Sequence, residues 1–135
     1  MSDRIFLDTN ILVYAHSDTE PIKRKIVENI IANNDNLVIS TQVLNEFINV
    51  MHKKRGIPFK TLVAAIRELS ESFTVVQITV HTVEQALNIA AQHNYSYFDS
   101  LMLSAALEHN CSVMYTEDMH HTHTLDTLKI QNPFK

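Results

Sequence analysis

Short apolar runs alternate with segments of helical periodicity along the whole chain, and that alternation confines it to one class of fold. Residues 4–7, 37–40, 73–79 and 112–115 read as strands, and residues 128–131 as a fifth candidate. Between the first two, Asp18 and Thr19 are placed to cap a helix with Pro21 in its first turn. Its apolar face is Ile22, Ile26, Val27, Ile30 and Ile31. Leu44, Phe47, Ile48 and Met51 mark a helix that stops near Gly56, a C-terminal cap. Pro58 opens another, with Leu62, Ala65, Ile66 and Leu69 on its face. Thr82 and Gln85 suit a capping box for a helix reaching about His93, and Ser96 opens one through Leu101, Met102, Ala105 and Ala106. Strands joined through helices pair in parallel by crossovers, so the expectation is an α/β sandwich around a central sheet.

At 135 residues the chain suits a single domain, residues 1–135, with no linker or repeat. Apolar residues make up 45% and charged residues 19%, an ordinary globular balance. No apolar stretch reaches the ~18 residues of a membrane span. Met1-Ser2-Asp3-Arg4 runs straight into the first predicted strand without a signal-type segment, and Cys111 has no partner for a disulfide. A cytoplasmic protein is therefore expected, with no membrane association. The formal charge of −4 disfavours holding nucleic acid by bulk charge alone. The single glycine, Gly56, excludes both a dinucleotide-binding fingerprint and a P-loop.

Four acids stand in unusually apolar company. Asp8 ends the run Ile5-Phe6-Leu7, and Asp118 follows the strand-like run that ends in Tyr115-Thr116-Glu117. Glu46 lies in Val43-Leu44-Asn45-Glu46-Phe47-Ile48, and Asp99 in Tyr97-Phe98-Asp99-Ser100-Leu101-Met102. Each has an ordinary explanation as cap, turn or solvated residue. Asp8 and Asp118 nevertheless follow predicted strands, and in parallel sheets sites form beyond the carboxyl ends of the strands. Glu46 sits one to two helical turns past a third. Carboxylates gathered there repel one another unless a hard divalent cation joins them, and Mg2+ or Mn2+ accepts such oxygen ligands. A cation so held can lower the pKa of bound water and stabilise a leaving oxygen, as phosphodiester hydrolysis requires.

The motifs Ile5-Phe6-Leu7-Asp8-Thr9-Asn10, Leu44-Asn45-Glu46-Phe47, Tyr97-Phe98-Asp99-Ser100-Leu101 and Tyr115-Thr116-Glu117-Asp118-Met119 resemble, in order and spacing, the four acidic motifs of PIN-domain ribonucleases. The segment Leu128-Lys129-Ile130-Gln131-Asn132-Pro133-Phe134 resembles the terminal strand of VapC-type toxins of type II toxin–antitoxin systems. The resemblance implies a three-layer α/β/α sandwich with a mostly parallel sheet of four or five strands. It implies that Asp8, Glu46, Asp99 and Asp118 are catalytic and bind Mg2+ or Mn2+, with Asn10 and Thr116 orienting them through hydrogen bonds. The implied activity is endoribonuclease cleavage of single-stranded RNA by metal-activated water, leaving a 5′-phosphate and a 3′-hydroxyl. The implied partners are a cognate antitoxin protein and a second copy of the chain in a homodimer. Two other readings compete: a non-catalytic RNA- or protein-binding module, and a phosphatase-like hydrolase with Asp8 as nucleophile. The second usually has an Asp where Asn10 stands.

The toxins usually carry a glycine where this chain has Thr122, so the loop after Asp118 is expected to take its own path, with Glu117 as the substitute acid. His120-His121-Thr122-His123 is read as a solvated loop beside the site rather than a zinc centre. His52, Lys53, Lys54 and Arg55 form the candidate RNA-contacting patch, set against the ordinary preference of cations for helix C-termini. Lys23-Arg24-Lys25 is read as the solvated face of its helix.

Overall fold

The computed structural model describes residues 3–135; Met1 and Ser2, the head of the segment read as free of a leader, lie outside the described residues. Twelve elements follow in order: β1 (Ile5–Leu7), α1 (Thr9–Ala15), α2 (Pro21–Asn33), β2 (Leu37–Ser40), α3 (Thr41–Arg55), α4 (Phe59–Ser72), β3 (Thr74–Val76), α5 (Val80–Gln92), α6 (Tyr97–Glu108), β4 (Val113–Tyr115), β5 (Thr124–Leu125) and β6 (Leu128–Gln131). The sheet order is β3-β2-β1-β4-β6-β5. All pairings are parallel except β5 with β6. Helices flank the sheet in the expected three-layer α/β/α arrangement. Among the described residues, no helix is long and apolar enough to cross a membrane.

β1 lies in the middle of the sheet, paired with β2 on one side and β4 on the other, and Ile5, Phe6 and Leu7 are all buried. A strand covered on both faces reads as a continuous apolar run rather than an alternating one, which is how it appears in the sequence. Its carboxyl end, together with those of β2 and β4, delivers the chain to one edge of the sandwich. There Asp8 NH donates to the Tyr115 carbonyl at 3.1 Å, which ties the β1–α1 junction to the end of β4.

Several local expectations are corrected. The sheet has six strands rather than four or five, because the two-residue β5 folds back on β6. The third strand is confined to Thr74–Val76, since Thr79 leaves the sheet to cap α5. The capping box pairs Thr79 with Thr82, one helical turn earlier than Thr82 with Gln85. Thr82 is instead the buried third helical residue, and its hydroxyl also reaches Glu108 at 2.8 Å. At α2, neither Asp18 nor Thr19 caps; Ser17 Oγ accepts the backbone NH groups of Thr19 and Glu20 at 3.2 Å. On that helix Val27 enters the core, whereas Ile22 is exposed. The Ser40 and Ser96 hydroxyls cap α3 and α6, and Gly56 ends α3 with a left-handed φ of 66°.

Candidate active site

Asp8 occupies the N-cap position of α1, but its side chain makes no capping bond. It is buried, and Oδ2 accepts a hydrogen bond from Thr116 Oγ1 at 2.6 Å. The same hydroxyl oxygen accepts the NH of Asp118 at 3.3 Å, so Thr116 uses both its donor and an acceptor to join two acids. Burial pushes the Asp8 carboxyl from an ordinary 3.8 up to about 6; the charges of Asp99 and Asp118 add to this, against the Thr116 hydrogen bond.

Glu46 is held from two sides. Thr9 Oγ1 donates to Oε1 at 2.7 Å, and Gln42 Nε2 donates to Oε2 at 3.1 Å. Gln42 is buried, and its Nε2 also reaches the Phe98 carbonyl at 3.0 Å, linking α3 to the first turn of α6. Both partners are acceptors, so the amide nitrogen must face them, and Gln42 Oε1 remains buried without a partner. Asp99 sits on that first turn, its NH capped by Ser96 Oγ at 3.2 Å. Its pKa is raised by burial first, then by the charges of Asp118 and Glu46. Asp118 is exposed, and Asn10 Nδ2 donates to its Oδ2 at 2.5 Å.

The four carboxylates line one cleft of about 240 Å3, together with Thr9, Asn10, Asn49, Val50, Phe98 and Met102. Among the described residues, no three His, Cys, Asp or Glu side chains converge into a ready-made metal shell. The donor set suits a hydrated hard cation, since Mg2+ usually keeps several waters and takes one or two carboxylates directly. It contains neither histidine nor cysteine, which disfavours a zinc-type site. The repulsion that Asp8 meets from Asp99 and Asp118, and Asp99 from Asp118 and Glu46, is what such a cation would relieve.

The PIN domain family profile matches residues 5–124. The chain belongs to the PIN-domain family. Among solved structures, the PIN domain is similar to VapC20 of Mycobacterium tuberculosis, described as a sarcin–ricin loop cleaving toxin. The TM-score is 0.71 at 23% identity, covering 84% of this chain and 89% of that one. It is also similar to a toxin–antitoxin complex from Klebsiella pneumoniae (0.70, 19% identity, 96% and 97% covered). A third likeness is to VapBC2 of Rickettsia felis bound to promoter DNA (0.63, 19% identity, 95% and 97% covered). No curated protein matches significantly.

Around this PIN-domain cleft, the candidate cationic patch divides. Lys54 and Arg55 line a groove of about 670 Å3 that shares Asn10, Val50 and Asp118 with the acid cleft, so the two adjoin; Asp18 and Glu117 line the groove as well. The Arg55 guanidinium also donates to the His16 carbonyl at 2.9 Å. His52 turns elsewhere, stacking on Phe59 with ring centroids 3.8 Å apart, and Lys53 lines neither depression.

Glu117 does not stand in for Asp118. It accepts a hydrogen bond from Tyr14 Oη at 2.5 Å and pairs with Lys23, which lowers its pKa against the opposing effect of burial. Lys23 is accordingly a paired, half-exposed charge rather than a free one: it lies over the rings of Tyr14 and Phe134, 4.8 and 5.3 Å from their centroids. Thr122 adopts φ 69°, the left-handed region that favours glycine, and its NH donates to the Ile130 carbonyl at 2.9 Å. The loop thus has a glycine-type backbone at this position without the glycine. Its histidines find separate partners: His121 Nδ1 accepts the Asn132 NH at 2.9 Å, and His123 pairs with Tyr95 Oη.

Two side chains that hold the acids, Thr9 and Gln42, escaped sequence reasoning. Thr9 lies inside the first motif, but its bond to Glu46 spans 37 positions. Gln42 carried a local signal, since it precedes Glu46 by four residues on one helix.

Proposed function

We propose that this PIN domain is a Mg2+- or Mn2+-dependent endoribonuclease and the toxin component of a type II toxin–antitoxin pair. The observation that carries the reading is the convergence of Asp8, Glu46, Asp99 and Asp118, from four separate segments, on one cleft. Asp8 and Asp99 would hold the cation, with Glu46 and Asp118 completing its surroundings directly or through water. A bound cation would supply acidified water and charge stabilisation at a phosphodiester. Thr116, Asn10, Thr9 and Gln42 fix the carboxylates by hydrogen bonds, so that little reorganisation accompanies binding. Lys54 and Arg55 offer positive charge to RNA phosphates entering along the adjoining groove.

Likeness to a toxin–antitoxin complex over nearly the full chain supports an antitoxin protein as partner. A homodimer is proposed with it. The deciding experiment is cleavage of single-stranded RNA with Mn2+ or Mg2+ by the wild type and Asp8→Asn. Metal-dependent cleavage abolished by the substitution is expected. Cleavage indifferent to both EDTA and Asp8→Asn would overturn the assignment.

A further inference from the structure

We propose that Phe98 forms a stacking subsite for an unpaired nucleobase beside the phosphodiester held at the acid cleft; the placement of that phosphodiester rests on the nuclease reading above. Phe98 adjoins Asp99 on the first turn of α6 and lines the same cleft, yet it is 62% exposed. An isolated exposed aromatic ring is unremarkable on a protein surface. This one stands on an anchored backbone. Its carbonyl accepts the buried Gln42 amide at 3.0 Å, and Tyr97 packs edge-on against the ring, with centroids 5.4 Å apart. The result is an apolar ring at a set place beside the acids that protein leaves largely uncovered.

The neighbouring groups select the occupant. Asn49, exposed on α3, lines the cleft as well and carries both a donor and an acceptor suited to a base edge. Met102 adds apolar lining. Across Asn10, Val50 and Asp118 the cleft adjoins the groove of Lys54 and Arg55. A strand lying along this path meets an aromatic ring, then carboxylates suited to a cation, then the charges of Lys54 and Arg55, which share their groove with Asp18 and the Lys23-paired Glu117. That succession matches base, scissile phosphate and flanking phosphates, because single-stranded nucleic acid is held by stacking together with charge along its backbone. A base inside a duplex has both faces covered by its neighbours. Only an unstacked, unpaired base can present a face to Phe98.

The test measures binding in the full-length Asp8→Asn background, so that cleavage does not interfere. The probes are a labelled single-stranded RNA decamer and a ribose-phosphate chain of equal length without bases, at one fixed salt concentration. Phe98→Ala is expected to weaken RNA binding roughly tenfold while leaving binding of the baseless chain unchanged. Phe98→Trp, which retains an aromatic face, should keep RNA affinity. Equal weakening on both probes would show a general disturbance of the cleft and overturn the proposal. No weakening on either would also overturn it, and would point to a protein partner as the ligand of the ring. Wild-type cleavage with Mn2+, followed in parallel, reports on the nuclease reading separately. Base-dependent binding without any cleavage would leave the subsite standing and remove that reading.

Discussion

Replacing Asp8 by Asn should make the metal-free protein more stable while abolishing metal-dependent function. In the fold this carboxyl titrates at about 6 rather than 3.8, chiefly because it is buried. The displacement is worth about 3 kcal/mol against the ionised form. A folded-state pKa above the unfolded value means that the native state binds more protons between the two. The associated stability is therefore complete below pH 3.8 and is lost as the pH rises through about 6. Asparagine keeps an oxygen able to accept from Thr116 and carries no charge, so it escapes this loss. Urea denaturation in EDTA should show Asp8→Asn more stable than wild type at pH 7 by up to about 3 kcal/mol. In melting temperature that is on the order of 10 °C for a domain of this size. The difference should shrink on titration from pH 7 towards pH 4. Saturating Mn2+ should narrow it from the other side, adding about 3 kcal/mol to wild type at a hundredfold excess over Kd and nothing comparable to the variant. An Asp8→Asn protein no more stable than wild type at pH 7, or a difference that does not change with pH, would refute the claim that burial of an ionised Asp8 strains the native state.

Two further substitutions probe the supports of the site. Gln42→Leu removes the bonds to Glu46 and Phe98 but also the partnerless buried Oε1. Stability should stay within about 1 kcal/mol of wild type, as these effects offset. Mn2+ affinity, read by calorimetric titration, should fall about tenfold. Thr122→Gly relieves a β-branched residue at φ 69°. Relief of about 1 kcal/mol, offset in part by the added freedom of glycine in the unfolded chain, should appear as a small rise in urea midpoint.

The layers and the four acids were legible because their signals are local. The run Ile5-Phe6-Leu7 announces a doubly covered strand, and Asp8 at its end is conspicuous wherever the chain goes next. What failed to show depends on neighbours distant in sequence. Lys23 follows the pattern of a solvated helix face, and only the approach of Glu117, 94 positions away, gives it an ion-pair partner. Gln42 gains its second role from the Phe98 carbonyl, 56 positions on. β5 is two residues long, too short for any periodicity, and exists because the loop returns to β6. The box at α5 was displaced by a turn because Thr79 and Thr82 are chemically alike, so that spacing alone does not decide which of them opens the helix.

Asp8, Thr9 and Asn10 are consecutive, yet their side chains bond to Thr116, Glu46 and Asp118 in turn. Thr116 and Asp118 each lie 108 positions beyond the residue they bond, so they are translated long after it. Until the chain beyond β4 has been translated and laid beside β1, Asp8 lacks Thr116 and Asn10 lacks Asp118. A product stalled before β4 therefore carries Asp8, Thr9 and Asn10 without the assembled cleft. By setting β1 beside β4, the sheet order itself delays the appearance of the finished cleft until β4 and the turn after it have been made.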